Sequence, residues 1–168
     1  MMNKNIAYQN RINNAQGHHF ENAIKAGCYY YENNGLAVIE QTPEPFRVTK
    51  TNRDGSFSGR FTANAQPDFK GVLAGGRAIV FEAKYTRTDK MKKSAVTDTQ
   101  MRALDKYHEL GAKAGVCIGI QDVFAFIPYT KWRDMKEIYG RQYLKVEDIE
   151  KYRIKFSGGI LFLNYINE

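Results

Sequence analysis

Apolar residues first recur at helical spacing between Gly17 and Tyr31, where Gly17, Phe20, Ile24, Cys28 and Tyr31 share one face. That repeat predicts a helix with a single buried stripe, and Asn33-Asn34-Gly35 supplies its stop. Residues 36–39 (Leu-Ala-Val-Ile) read as a short buried strand, broken by Pro43 and Pro45, and residues 46–50 alternate like a strand. The stretch 51–65 (TNRDGSFSGRFTANA) is the most polar and turn-rich in the chain. Its Asp54-Gly55 pair is a hairpin signal, so the segment is expected to be either a protruding β-hairpin or a mobile loop.

Two strands are expected at 68–73 and 77–85, joined by Ala74-Gly75-Gly76. A lysine-rich loop follows, then an amphipathic helix over 97–110 that Gly111 ends. Residues 115–120 and 123–129 pair about Gln121-Asp122, short helical stretches fall near 131–138 and 146–152, and a last strand is expected at 159–166. Residues 1–16 read as a loose polar arm. With no repeats and no linker, the order helix, mixed strands, helix, strands predicts one α/β domain over 1–168.

Composition narrows the class. A chain of 168 residues, 43% hydrophobic, builds a core without disulfides. Charges interrupt every apolar run short of the roughly 20 residues that span a bilayer, which excludes a spanning helix, and no membrane partner is expected. The polar start lacks the hydrophobic region of a secretory signal, and Cys28 and Cys117 alone fit reduced thiols in a cytoplasm. The excess of 25 Lys+Arg over 18 Asp+Glu, a net +7, points to a polyanionic partner. Lys84, Arg87, Lys90, Lys92, Lys93 and Arg102, against Asp89 and Asp98, form a run that either tracks phosphates or is ordinary solvated surface charge. Arg47, Lys50, Arg53 and Arg60 give the 51–65 region the same sign, with Phe57 and Phe61 available to wedge or stack at unpaired bases.

The sharpest chemical feature is Pro67-Asp68 with Glu82-Ala83-Lys84 following the aspartate by fourteen residues. Glu82 interrupts an apolar strand, where charge is rare without a partner. Period two puts Glu82 and Lys84 on one face, with Ile79, Phe81 and Ala83 on the other, while Asp68 heads the neighbouring strand. Two carboxylates so placed repel unless a cation lies between them, and hard oxygens suit Mg²⁺. Lys84 then either stabilises charge on a phosphate or helps deprotonate a water. Gln100 sits within the stripe Val96, Gln100, Ala103, Leu104, Tyr107. It is a metal ligand, a contact to an aqua ligand, or a core hydrogen-bonder. Glu21, beside Phe20 and Ile24, is either a boundary glutamate facing water or a further member of the site. Gly71–Gly76 lacks the Gly-Lys-Ser/Thr ending of a phosphate loop, and His18, His19 and His108 show no zinc spacing with the cysteines.

Pro67-Asp68, Phe81-Glu82-Ala83-Lys84 and Gln100 resemble the PD-(D/E)XK nuclease pattern. More narrowly, residues 17–128 resemble the RecU-type Holliday junction resolvases, the penicillin-binding-protein-related factor A family. The likeness covers Gly17-x-x-x-Glu21, Ala37-Val38-Ile39 leading to Pro43 and Pro45, Asp68-x-x-Gly71, Phe-Glu-Ala-Lys, the Gln100 helix and the Gly-rich strand after it. The resemblance implies a restriction-endonuclease-like mixed β-sheet core flanked by helices. It implies a homodimeric, Mg²⁺-dependent endonuclease, with Mn²⁺ as a substitute, that nicks two strands of a four-way DNA junction symmetrically in recombination and repair. A recombinase is a further candidate partner. By position, Asp68, Glu82 and Gln100 are the implied metal ligands, Lys84 the transition-state stabiliser and Glu21 part of the catalytic set. The family often carries a hydroxyl ligand two residues before the aspartate; this chain has Gln66, which offers a carbonyl oxygen instead. Residues 51–65 match the family's stalk in a short form that fits a phage-borne version. The rival readings are a nuclease for other branched DNA and a non-catalytic junction-binding or recombinase-regulating protein. Retention of Asp68, Glu82, Lys84 and Gln100 speaks against the latter.

Overall fold

The stripe beginning at Gly17 belongs to a longer helix. In the computed structural model, which describes residues 4–43, 45–61 and 66–165, α1 spans Lys4–Asn33. The loose arm expected for residues 1–16 is therefore helical from Lys4 onward. No Pro or Gly interrupts the chain before Gly17, so a helix nucleated by its buried stripe extends upstream at one hydrogen bond per residue. Phe20, Ile24, Cys28 and Tyr31 are buried, and Gly35, at φ 66°, turns the chain out of the helix.

The chain continues through β1 (Ala37–Gln41), β2 (Phe46–Thr51), β3 (Phe57–Phe61), β4 (Phe69–Leu73), β5 (Ala78–Thr86) and β6 (Lys90–Lys92) to α2 (Asp98–Glu109). Then come β7 (Lys113–Ile120), β8 (Val123–Pro128), α3 (Tyr129–Arg133), α4 (Met135–Tyr139), β9 (Tyr143–Lys145), α5 (Val146–Ile149) and β10 (Arg153–Ile154). The main sheet has the order β1-β4-β5-β7-β8-β10. Its pairs are antiparallel except β5 with β7, which are parallel and joined by the α2 crossover. This is the expected mixed α/β core. Ile39, Phe69, Phe81 and Cys117 pack with α1 on one face; Val80, Val116, Ile118 and Ile127 pack with Leu104 of α2 and Trp132 of α3 on the other. Among the described residues no helix is long and apolar enough to cross a membrane.

Gly71 sets how closely β1 and β4 approach, because a Cβ there would collide with the Val38 carbonyl. That contact holds the strand headed by Asp68 against its neighbour. The 51–65 region resolves into a hairpin that begins earlier than expected: β2 pairs with β3 from Phe46↔Phe61 to Thr51↔Phe57, with an irregularity between Val48 and Lys50. Asp54 Oδ1 accepts from the Ser56 N–H at 2.9 Å, and Gly55 adopts φ 83°, so the turn is the one Asp54-Gly55 specifies. Every residue of β2 is exposed. Residues 62–65, the end of the expected stalk, lie outside the described residues.

Two further expectations change. The lysine-rich loop contains β6, paired with β9 through buried Met91 and Leu144. The last strand is not 159–166 but β10, at 153–154. Ile160 instead donates its N–H to the Ala23 carbonyl of α1, Leu163 donates to the Tyr31 hydroxyl, both at 2.9 Å, and Phe162–Tyr165 forms a 3₁₀ turn. The apolar pattern that suggests a strand there serves packing on α1, with Phe162 against Phe81 and Phe126. Ile166 lies outside the described residues.

Candidate active site

β4 and β5 pair up to Phe69↔Phe81, which leaves Asp68 just past the ladder beside Glu82. Asp68 Oδ2 accepts from the Ala83 N–H at 2.9 Å and from Lys84 Nζ at 3.3 Å. Lys84 Nζ also reaches Glu82 Oε2 at 3.1 Å, and Gln100 Nε2 donates to that same oxygen at 2.6 Å. Asp68, Glu82, Lys84 and Gln100 thus form one connected group, the first three as their spacing predicts.

Glu82 is 0% exposed, and its second oxygen, Oε1, is buried without a hydrogen-bond partner. Burial, and then the neighbouring Asp68 charge, push its carboxyl up to about 8, against the pull of Lys84. Burial by itself lowers the Lys84 ammonium, yet the attraction of Asp68 and Glu82 prevails and holds it above the ordinary lysine value. A buried carboxyl with one oxygen tethered and the other free, beside a second carboxylate, fits a hard divalent cation.

Gln100 reaches the group in an unexpected orientation. Its Oε1 accepts from the Thr97 N–H at 3.0 Å and the Thr97 hydroxyl at 3.2 Å, while Thr97 Oγ1 receives the Gln100 N–H at 3.3 Å. This is a capping box at the start of α2. The amide oxygen is therefore engaged, and Gln100 meets Glu82 as a donor rather than as an oxygen ligand. Thr97 was legible as the first member of a Thr-x-x-Gln box, a signal that the stripe reading passes over.

Gln66 is exposed, and its Oε1 accepts from Lys70 Nζ at 2.8 Å, so its oxygen is turned to Lys70 rather than to the acidic pair. Glu21 is part-buried and accepts from Gln41 Nε2 at 2.9 Å, with His18 Nδ1 at 3.9 Å. It is not simply a water-facing residue: it holds the end of β1, where Gln41 lies opposite Phe69, the neighbour of Asp68.

On the hairpin, Arg53, Phe57 and Arg60 are exposed, and the Phe46 and Phe57 rings meet edge-on at 5.8 Å. Arg60 stands directly opposite Arg47, and Phe61 closes β3 opposite Phe46. Arg87, Lys90 and Lys92 are exposed, with Lys90 Nζ 5.2 Å from the Tyr143 ring centre. The Lys93 ammonium donates to the Arg133 carbonyl at 2.5 Å and ties the loop to the end of α3. Just past Lys84 an open cavity of about 530 Å³ is lined by Tyr85, Thr86, Thr88, Lys90, Lys92 and Ser94 among others.

Fold and site define an α/β protein whose mixed sheet carries an acid–acid–lysine centre, with Asp68 immediately before β4 and Glu82 and Lys84 within the adjoining β5. Residues 15–168 match the family described as Recombination protein U, and the chain belongs to that family. The Holliday junction resolvase RecU of Streptococcus sanguinis (strain SK36) is 27% identical over 158 residues, covering 91% of this chain and 72% of that protein. The one from Bacillus pumilus (strain SAFR-032) is 25% identical over 142 residues, 81% of this chain and 68% of that protein. A Streptococcus thermophilus (strain ATCC BAA-491 / LMD-9) protein of the same name is 38% identical over 84 residues, 46% of this chain and 42% of that protein. Among solved structures, Archaeoglobus fulgidus Hjc, a Holliday junction resolvase, gives a TM-score of 0.48 at 11% identity, covering 80% of this chain and 87% of that one.

Proposed function

We propose that this chain is a divalent-metal-dependent endonuclease of the cytoplasm that resolves four-way DNA junctions by paired nicks, working as a homodimer. The observation that carries the reading is buried Glu82, one oxygen free, joined through Lys84 to Asp68, in a chain whose family relatives are named Holliday junction resolvases. Asp68 and Glu82 would hold Mg²⁺, or Mn²⁺ in its place. Bound there, the cation supplies Lewis-acid stabilisation and a more acidic water. The Ala83 N–H and Lys84 fix Asp68 Oδ2, while Gln100 fixes Glu82 Oε2 and leaves Oε1 for ligation. Lys84 offers its ammonium to a phosphate oxygen as negative charge develops. Glu21 braces β1 through Gln41, and Gln66 stands outside the ligand set. Arg87, Lys90 and Lys92 follow the backbone of a DNA arm, while the hairpin presents Arg53, Phe57 and Arg60 to the open centre of a junction.

Incubating a labelled four-way junction with the protein, with and without Mg²⁺, tests the reading. Symmetric nicks that need the metal and vanish in Asp68→Asn are the expected result. Equally fast cutting of flaps or three-way forks would favour a nuclease for other branched DNA. Tight binding with no cleavage in any divalent metal would make the protein a non-catalytic junction binder.

A further inference from the structure

Thr42 lies one residue beyond β1, opposite Asp68. Its N–H donates to the Asp68 carbonyl at 2.8 Å, continuing a ladder whose last pair is Gln41↔Phe69. Residues directly opposite one another share a face of the sheet. Gln41 and Phe69 are on the α1 face, since Gln41 reaches Glu21 and Phe69 is buried in the core beneath α1. Period two therefore turns Thr42 and Asp68 to the other face, the one that carries Glu82 and Lys84.

The Thr42 hydroxyl is buried and has no hydrogen-bond partner. A hydroxyl can rotate to suit a neighbour and rarely goes unmatched when buried, because leaving it so costs the desolvation of the group. The strand order β1-β4-β5 sets Asp68 between two such oxygens, Thr42 Oγ1 on one side and Glu82 Oε1 on the other. The remaining candidate side-chain oxygens are engaged elsewhere, Gln66 Oε1 by Lys70 and Gln100 Oε1 by Thr97. Asp68 and Glu82 are two carboxylates, so a cation between them has coordination positions left for other oxygens. Magnesium-type ions accept hydroxyls and keep much of their water shell.

We propose that Thr42 Oγ1 is an oxygen of the divalent-cation site at Asp68, meeting the hydrated ion from the β1 side. This rests on the reading of Asp68 and Glu82 as cation ligands.

The test is Mn²⁺ binding to the DNA-free protein, followed by the electron paramagnetic resonance of free Mn²⁺, so that no cleavage step enters. Thr42→Val keeps the shape and removes the hydroxyl; it should bind Mn²⁺ about tenfold more weakly. Thr42→Ser should stay within about twofold of the parent, since it retains the group that outer contacts of a metal site require. The metal-free melting temperature of Thr42→Val should equal or exceed the parent's, showing that the fold is intact. Parental Mn²⁺ affinity in Thr42→Val, with binding lost in Asp68→Asn, overturns the role of Thr42 and leaves the Asp68–Glu82 reading standing. Equal losses in Thr42→Val, which keeps the γ-methyl, and Thr42→Ser, which keeps the hydroxyl, also overturn it, since the site would then respond to any change of shape rather than to the hydroxyl. Parental affinity in Asp68→Asn overturns both.

Discussion

Glu82 concentrates the cost of the site in one carboxyl group. Its folded value near 8 lies above the ordinary 4.5, so the folded chain holds a proton that the unfolded chain releases across that interval. Stability from this group is therefore fullest below about pH 4.5 and declines as pH rises through 8, by an amount on the order of a few kcal/mol. The Lys84 contribution, whose folded value is raised, is lost only above the lysine range and leaves this window clear. Metal-free Glu82→Gln should melt above the parent at pH 8, with the gap closing toward pH 4.5. A gap independent of pH in thermal melts would mean that Glu82 is not held neutral. A second expectation separates ligand from stabiliser: Asp68→Asn should lose cleavage and Mn²⁺ binding together while still binding junctions. Lys84→Ala should lose cleavage and still bind Mn²⁺. Parallel junction-binding and metal titrations of the two variants decide it.

Individual elements have separable tasks. The Thr97–Gln100 box both caps α2 and aims the amide at Glu82, so Thr97→Ala should cost about 1 kcal/mol in a denaturant melt and also slow cleavage. Thr97→Ser should restore both. A normal cleavage rate in Thr97→Ala would make the box a cap alone. The basic loop divides likewise. Neutralising Lys90 and Lys92 should weaken binding to every DNA form and flatten its salt dependence, since phosphate contacts do not read shape. Lys93→Ala should instead lower stability, because its partner is the Arg133 carbonyl. In the hairpin, Arg47 and Arg60 face each other across the strands, an arrangement unfavourable without an anion. Replacing residues 55–61 with a Gly-Ser link should thus cost four-way junction binding far more than linear duplex binding. Equal losses in gel-shift titrations would reduce the hairpin to ordinary basic surface.

Paired nicks place a demand on the whole molecule that one active site cannot meet. Two centres at a fixed separation on a two-fold junction call for a C2 dimer. Sedimentation at micromolar concentration should give about twice the 19.3 kDa chain mass. A monomer both free and on the junction would remove the basis for coordinated cutting.

Local rules made much of this legible beforehand. The α1 stripe follows from a spacing of three and four residues, and the Glu82–Lys84 face from a spacing of two. The Asp54-Gly55 turn rests on conformational preference within four residues. Each involves neighbours in the chain, so composition and order alone specify it. What only the tertiary structure decided is which partner each polar atom takes. Glu21 meets Gln41 across 20 residues, Lys93 meets Arg133 across 40, and Leu163 meets Tyr31 across 132. The same holds for Thr42, which stands opposite Asp68 only because β1 and β4 pair on either side of the β2–β3 hairpin. The amide of Gln100 can present either end to Glu82, and the capping box chose nitrogen. Residues 159–166 have the apolar content of a strand, yet the carbonyl of Ala23 and the hydroxyl of Tyr31 claimed their donors for α1. Hydrogen-bond partners at such separations depend on how packed layers come together, and no window of neighbouring residues contains that information.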